Sequence, residues 1–347
     1  MIKICCLHKN VSDIPSMLRF LLLDPSFAGE LVWDEETPDI LIASEWIYYK
    51  SALFRKFRDL YGKSGIKVSF MGEAIEPDFN VFDYCVGFSD GFKDNPAFLR
   101  LPSPYHMFSE FLKEKENPIK TPDEARAELE RKGGFCSFLY SNPKANPVRD
   151  QLFYEISAYK KVDSLGRHLN NVSIPGTGYI GHKGEGVLIK ANYKFSISSE
   201  NSCFRGYTSE KLLTSLEAHS LPIYWGNPNV ADDINPECFI DAGKMSGMDE
   251  LISVIERVDN DDALWCEMVS KPWMTPSQES AHKIRTEAFL QGMSRLLTGE
   301  LPPMMARGYH VDMYRDHFLS GEFFLDSRKE KLRNRLSQLS LGRHPQG

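Results

Sequence analysis

Short apolar segments that alternate with amphipathic segments constrain this chain more than any other feature of its sequence. Short, wholly apolar strands separated by helices are typical of a parallel sheet that helices cover on both faces. In the first half the strand patterns lie at Met1–Leu7, Asp39–Ala43, Ile66–Gly72 and Tyr84–Phe88, and the helix patterns lie at Ile14–Leu23 and Ser51–Tyr61. The first half is therefore predicted to form a βαβα unit.

The same alternation restarts after a polar stretch, Lys113–Gly134, whose proline and charge content predicts a linker that ends in a solvated helix. The second half has predicted strands at Phe135–Tyr140, Tyr193–Ser198, Leu221–Trp225 and Cys238–Asp241, and predicted helices at Val148–Val162, Thr208–His219 and Met248–Val258. A chain of 347 residues exceeds what one hydrophobic core usually supports. We expect an α/β fold with doubly wound domains over 1–125 and 126–300, a C-terminal helical tail over 301–347, and a ligand cleft between the domains.

Composition excludes several classes of protein. The net charge of −7 and the pI near 5.8 argue against a nucleic-acid partner, which would favour a basic surface. The seven cysteines are never spaced as CxxC, which argues against a zinc ribbon or a disulfide framework and fits a reducing compartment. No run of 18 apolar residues occurs, and the first ten residues read as a strand rather than a signal peptide. We expect a cytoplasmic protein.

One strand-to-helix turn carries more functional groups than a connection needs. The segment "SENSCFRGYTSEK" follows an alternating strand and runs directly into a helix pattern. A helix N-terminus presents free N–H groups and a partial positive charge, which together favour an anion. Lys211 lies in the first helical turn, where a cation is unfavourable unless an anion is bound, and Arg205 adds charge from the turn. The turn therefore predicts a phosphate or diphosphate site.

The remaining side chains of this turn suit a sugar. Asn201 and Tyr207 offer directional hydrogen bonds, and Glu210 is able to accept from hydroxyl groups or to stabilise developing positive charge. Thr208 or Ser209 is the expected helix cap. The alternative interpretation of the turn alone is a capped helix with solvated charges.

Two further residues follow predicted strands at the same kind of position. Arg149 begins a helix after the first strand of the second half, and Glu73 directly follows Gly72 at the end of a first-half strand. Arg149 would add a second cation for a diphosphate, and Glu73 would serve as a general base. Taken separately, each also fits a solvated surface side chain.

Three stretches resemble the signature segments of the family-10 α-1,3/α-1,4-fucosyltransferases. They are "MGEAIEPDFNVFDYCVGF", "FLYSNPKANPVRDQLFYEI" and "YKFSISSENSCFRGYTSEKLLTSLEAHSLPIYWGNPNVADDINPECFID". The third is the most specific, because Glu-Asn, Gly-Tyr, Glu-Lys and "PIYWG" all fall at the family's spacing. The resemblance runs from about Met71 to Asp241 and implies two Rossmann-like domains of the GT-B type.

The resemblance also implies a reaction, the transfer of fucose from GDP-fucose to a glycan with inversion. Glu73 corresponds to the family's proposed general base, and Arg149 and Lys211 correspond to the cations that bind the diphosphate. Asn201, Tyr207 and Glu210 match positions that contact the donor. The first domain would then lie on the acceptor side, and the second would bind GDP-fucose. Departures from the family pattern include "SCFRG" before Tyr207, and Thr208-Ser209 in place of Val-Thr.

The chemistry that the resemblance implies fits these residue types. Inversion needs a carboxylate that takes the proton from the attacking hydroxyl, and it needs cations where charge grows on the departing diphosphate. No DxD-like triplet stands in the matched segments, so we expect no essential metal and no tightly bound cofactor. The expected partners are GDP-fucose and an N-acetyllactosamine-type glycan, with transfer to O3 or O4 of GlcNAc.

Alternative functions remain open at this stage. The chain could use another nucleotide sugar on the same fold, or it could bind a sugar nucleotide or glycan without catalysis. The segment after Leu325 places leucines on one helical face and basic residues on the other. That pattern is compatible with weak contact with the inner face of a membrane, but a helix that packs back on the protein with a solvated face is the favoured interpretation.

Overall fold

The computed structural model describes residues 1–10, 13–15, 31–101, 118–172 and 183–324. Most of the predicted helix Ile14–Leu23 lies outside the described residues, and so does the amphipathic segment after 324. The chain forms two compact units. The first unit comprises 1–87, 94–99 and 291–347, and the second comprises 88–93 and 100–290.

The first sheet has the strand order β2-β1-β3-β4-β5-β6. Its strands are β1 (Ile2–Leu7), β2 (Leu31–Trp33), β3 (Ile40–Ser44), β4 (Ile66–Phe70), β5 (Tyr84–Gly87) and β6 (Phe98–Arg100). The pairs from β2 to β5 are all parallel, with Ile42 opposite both Cys6 and Val68. These three side chains are buried, as expected for the centre of a sheet covered on both faces.

The second sheet has the order β11-β10-β9-β7-β8, and every pair is parallel. Its strands are β7 (Gly134–Phe138), β8 (Val162–Ser164), β9 (Tyr193–Ser199), β10 (Leu221–Trp225) and β11 (Ile240–Asp241). The wholly buried residues Phe138, Phe195 and Ile223 lie on three neighbouring strands within one core. The prediction of two doubly wound α/β sheets is confirmed.

The helices of the described residues connect these strands or follow the last of them, β11. They are α1 (Trp46–Tyr49), α2 (Ser51–Tyr61), α3 (Pro122–Leu129), α4 (Val148–Tyr159), α5 (Lys183–Lys190), α6 (Glu210–Glu217), α7 (Met248–Asn260), α8 (Asp262–Val269), α9 (Pro276–Leu297) and α10 (Tyr309–Ser320). Short 3₁₀ turns occur at Asp90–Phe92, Val230–Asp232, Pro236–Cys238 and Ala242–Lys244.

The packing changes one expectation and shows which unit contains the C-terminal part of the described chain. The helix expected to be solvated, α3, has a capping box between Thr121 and Glu124, but it buries Ala125 completely in the same core as Trp265 of α8. The residues after 291 belong to the first unit. Pro302 accepts a hydrogen bond from the Tyr84 hydroxyl, and Phe318 packs edge-on against Phe54. The boundaries predicted at 125 and 300 stay predictions.

Candidate functional site: the carboxyl edge of the second sheet

Two adjacent strand-to-helix connections meet at the carboxyl edge of the second sheet. Strands β7 and β9 are parallel neighbours, so the loop that leads to α4 lies beside the loop that leads to α6. The backbone N–H of Asn146, in the first loop, donates to the carbonyl of Asn201, in the second, across 2.8 Å. Arg149 and Asn201, 52 residues apart in sequence, are thereby brought together as predicted.

Arg149 is buried, with 1% of its surface exposed. Its Nη2 donates to the Ser199 carbonyl at 3.0 Å and to Oδ1 of Asn201 at 2.7 Å. The guanidinium carbon lies 4.1 Å from the centre of the Tyr140 ring, a cation–π distance. Its Nε is buried without a partner in the described part of the chain. The alternative of a solvated surface arginine is therefore wrong, because the side chain turns inward beneath the β9 loop.

Lys211 is held by an acidic cluster. Its Nζ lies 3.2 Å from Oε2 of Glu200, 3.5 Å from Oε1 of Glu210 and 2.9 Å from Oγ of Ser209. Burial works against its charge, but Glu200 and Glu210 raise the pKa of Lys211 well above its usual value. The amine is therefore a fixed cation throughout the physiological pH range.

Glu200 organises the start of α6. It is wholly buried, and both of its oxygens accept from Ser209, at 2.8 Å from the backbone N–H and at 2.6 Å from the hydroxyl. Ser209 is the N-cap of α6, which decides between the two predicted caps. Gly226 makes room for this arrangement, since a Cβ there would lie 2.4 Å from Cγ of Glu200.

The loop between Asn201 and Ser209 is fixed by a glycine. Gly206 has φ of +89°, and a Cβ at this position would lie 2.3 Å from the Phe88 carbonyl, so only glycine fits. Its N–H donates to the side-chain oxygens of Asn227 and Asn229. The next residue, Tyr207, is 3% exposed and packs edge-on against Phe88, with ring centres 5.1 Å apart.

The other predicted residues of the turn differ in exposure. Asn201 and Glu210 are half-buried, whereas Arg205 is exposed and does not join the cluster around Lys211. The side chain of Asn201 offers its amide nitrogen beside the oxygen that Arg149 uses. The structure thus brings Arg149, Asn201, Glu210 and Lys211 to one edge and buries Tyr207 beneath it.

Glu73 belongs to the first unit and lies near a second carboxyl group that the sequence analysis did not single out. Glu45 follows β3 directly and is 7% exposed, and its Oε2 accepts from the N–H of Gly72, the residue before Glu73, at 3.3 Å. Burial raises the pKa of Glu45, and the charge of Glu73 raises it further. Glu73 itself is half-buried.

Sequence reasoning therefore missed Glu45 and assigned no role to Glu200. Both lie directly after a strand whose last five residues are buried, in a parallel sheet whose carboxyl edge is the usual place for ligands. A carboxylate at that position is the signal that would have found them.

In the described ranges, no group of three or more histidine, cysteine or acidic side chains is placed to hold a metal ion. Among the described helices, none combines the length and the apolar character that crossing a bilayer requires.

Two family models match the chain. The model described as glycosyltransferase family 10 (fucosyltransferase) C-term matches residues 129–289, and the α-(1,3)-fucosyltransferase FucT N-terminal domain matches residues 35–108. These matches extend the resemblance beyond the segment from Met71 to Asp241 on which the sequence motifs lie.

The names of individual relatives all denote fucosyltransferases, and they differ in the linkage or the acceptor that they state. The α-(1,3)-fucosyltransferase FucT of Helicobacter pylori is 31% identical over 217 residues, which are 55% of this chain and 43% of that protein. An α-(1,4)-fucosyltransferase of Arabidopsis thaliana is 30% identical over 37% of this chain and 35% of its own length. Human GDP-fucose protein O-fucosyltransferase 3 is 27% identical over a match that covers 55% of this chain and 39% of that protein. The matched part of the chain thus spans less than half the length of these relatives.

A solved structure supports the fold. The crystal structure of an α1,3-fucosyltransferase with GDP superposes with a TM-score of 0.60 at 22% identity, covering 84% of this chain and 90% of that one. The architecture is therefore of the GT-B type. With both halves matched by fucosyltransferase models, the chain belongs to glycosyltransferase family 10, the fucosyltransferases.

Proposed function

We propose that this protein transfers L-fucose from GDP-fucose to a hydroxyl group of a glycan acceptor, with inversion at the fucose carbon. The observation that carries the proposal is the pair of fixed cations, Arg149 and Lys211, at one edge of the second sheet beside the N-terminus of α6. Membership of the fucosyltransferase family supports the choice of donor.

The diphosphate of the donor would bind at this edge. Lys211 supplies a point charge, and the partial positive charge at the N-terminus of α6 favours an anion. Arg149 stabilises the β9 loop through Nη2, and its other N–H groups lie beside that loop. Negative charge grows on the diphosphate as the bond to fucose breaks, so cations fixed before the reaction stabilise the transition state more than the substrate. Asn201 and Glu210 would bind donor hydroxyl groups, and Tyr207 would support the donor from beneath.

Glu73 would act as the general base. It would take the proton of the acceptor hydroxyl while that oxygen forms a bond to the fucose carbon, and GDP would leave with the electron pair of the broken bond. Glu210 is the second carboxylate assigned to catalysis, where it would stabilise positive charge that develops on the sugar. We propose that the reaction needs no metal ion, because Lys211, Arg149 and α6 together supply the positive charge.

The acceptor is proposed as an N-acetyllactosamine-type glycan, with transfer to O3 or O4 of GlcNAc. The relatives include α-1,3-, α-1,4- and protein O-fucosyltransferases, so the acceptor needs a direct test. Galactose linked β1,4 to GlcNAc leaves O3 open, and galactose linked β1,3 leaves O4 open. A panel with both disaccharides and a serine- or threonine-containing peptide therefore separates the three outcomes.

The experiment incubates the protein with each acceptor and with GDP-fucose, GDP-mannose or a UDP-sugar, and products are analysed by mass and by linkage. A fucosylated disaccharide formed only from GDP-fucose supports the proposal. Transfer from another nucleotide would identify a different donor. Binding of GDP-fucose without any product would favour a binding protein that has no transferase activity.

A further inference from the structure

A lysine amine lies buried directly behind the first turn of α6. Lys190, the last residue of α5, is 6% exposed, and its Nζ contacts three oxygens on α6. They are the carbonyl of Lys211 at 3.2 Å, Oγ1 of Thr214 at 2.8 Å and Oγ of Ser215 at 3.0 Å. None of the carboxylates in the described residues forms an ion pair with this amine.

The hydrogen bonds show which protonation state fits the site. Thr214 donates its hydroxyl proton to the Glu210 carbonyl at 2.7 Å, and Ser215 donates to the Lys211 carbonyl at 3.0 Å. Both hydroxyl oxygens, and the carbonyl, are therefore acceptors toward Lys190. Three acceptors require three N–H donors, and only the charged ammonium has three.

A charged Lys190 is unfavourable here in the absence of a ligand. Burial removes the hydration of the ammonium, and the N-terminal turn of a helix adds partial positive charge rather than negative. Burial lowers the pKa of Lys190 to about 7, with Lys211 acting in the same direction and Glu210, Glu200 and Glu217 acting against it. Near neutral pH the amine is therefore close to losing its proton, and a nearby anion would favour keeping it.

We propose that Lys190 is a third cation of the donor site, which acts on the diphosphate from behind α6 without touching it, and that binding of GDP is coupled to its protonation. The proposal rests on the donor site described above, since Lys190 bonds the carbonyl of Lys211 itself. An anion in front of α6 makes the ammonium more favourable, so above pH 7 the complex takes up a proton that the free protein lacks. By linkage, GDP affinity falls as the pH rises above 7.

Removal of the amine is expected to leave its partners satisfied. Thr214 and Ser215 keep their bonds to backbone carbonyls, and Ser215 also keeps its 2.8 Å contact with Ser198. Lys190→Met should therefore fold with an unchanged or higher melting temperature, because it removes a buried charge. A merely structural lysine would give a lower one.

Lys132 offers a matched control. Its amine is also buried, but it is paired with Glu128 at 2.7 Å and contacts the carbonyl of Ala218 just beyond the C-terminal end of α6. Lys132→Met removes the buried partner of Glu128, which keeps only its ion pair with the exposed Arg131, and should lower the melting temperature without changing the affinity for GDP.

The test is calorimetric titration of GDP at pH 8 in buffers of different ionisation enthalpy. The phosphate oxygens are already ionised at that pH, since their second pKa is about 6. We expect wild type and Lys132→Met to take up a fraction of a proton, and Lys190→Met to take up none. At pH 6.5 Lys190→Met should bind GDP about tenfold more weakly than wild type. This factor corresponds to a rise of about one in the pKa of Lys190 when GDP binds. The difference in affinity should become smaller by pH 9, where Lys190 is neutral in both the free protein and the complex.

The outcomes separate this inference from the proposed function. GDP binding by wild type without proton uptake, or with equal uptake in Lys190→Met, overturns the role of Lys190 and leaves the donor site intact. If wild type does not bind GDP at any pH, the donor site fails and the inference fails with it. If Lys190→Met does not fold, GDP binding by wild type without proton uptake at pH 8 still overturns the inference.

Discussion

Lys211 Nζ lies 3.2 Å from Oε2 of Glu200, a carboxylate that is wholly buried at the end of β9. The pair fixes the amine at the start of α6, where a cation is otherwise unfavourable. Glu200 therefore keeps the Lys211 amine charged and in position to bind an anion, while Glu200 itself stays buried. This arrangement distinguishes residues that would bind the donor from residues that position them.

Glu200→Gln should lower stability without weakening GDP binding. The amide still accepts from Ser209, but Lys211 loses its buried counter-ion, which should cost about 1–3 kcal/mol of unfolding free energy. GDP supplies a new counter-charge, so its affinity should be unchanged or higher and the melting temperature should rise more on adding GDP than it does for wild type. Differential scanning fluorimetry with and without GDP measures this.

The control Glu237→Gln removes an exposed ion pair with Lys271 and should change little. A loss of GDP affinity above tenfold in Glu200→Gln would mean that Glu200 contacts the nucleotide.

Glu73→Gln should remove the general base. The amide keeps the shape of the side chain but accepts no proton, so turnover should fall by about 10²–10⁴-fold. GDP affinity should survive, because the residues assigned to GDP belong to the second unit. The pH–rate profile of the residual activity should lose its fall in acid.

A variant that keeps more than about a tenth of wild-type turnover would contradict the assignment, because so small a loss lies outside the range for a base. Glu76→Gln, three residues along, is then the next variant to measure.

Glu45→Gln should stabilise the protein in a pH-dependent way. Burial and Glu73 raise the pKa of Glu45 in the folded state above 4.5. Below pH 4.5 the Glu45 carboxyl is mostly neutral in both the folded and the unfolded state. As the pH rises through the pKa of the folded state, the carboxyl ionises and an unfavourable buried charge develops. Gln has no such charge and still accepts from Gly72, so the variant should melt a few degrees higher at pH 7 and no higher at pH 4. An advantage that is equal at both pH values would show that ionisation of Glu45 is not its cause.

Chelation should leave the transferase active. If Lys211, Arg149 and α6 supply the charge that the leaving diphosphate needs, product formation with GDP-fucose should persist in EDTA at more than about half of its normal rate. The same assay with added Mn²⁺ or Mg²⁺ is the control. Complete loss in EDTA that Mn²⁺ restores would require a metal site in addition to these residues.

The sequence predicted some of this arrangement and not the rest. Alternating apolar segments predicted parallel sheets, and this was enough to place Arg149 and Lys211 at one edge, because the strands of a parallel sheet end on the same side. The burial of Arg149 was not predictable, since it depends on Tyr140 and Ser199, which reach it only through folding. The return of the chain after 291 to the first unit likewise rests on contacts such as Tyr84 with Pro302, which no local pattern reveals.

Titration of GDP against Lys211→Ala and Arg149→Ala tests the central claim most directly. Loss of a charge-assisted contact with phosphate should weaken GDP binding by about 1.5–3 kcal/mol, roughly 10- to 150-fold, in each variant. Lys161→Ala and Arg131→Ala are the controls, because these exposed cations precede β8 and β7 at the opposite edge of the same sheet. The account predicts wild-type affinity in both controls. Unchanged GDP affinity in both Lys211→Ala and Arg149→Ala would contradict the account, because the diphosphate would then bind elsewhere.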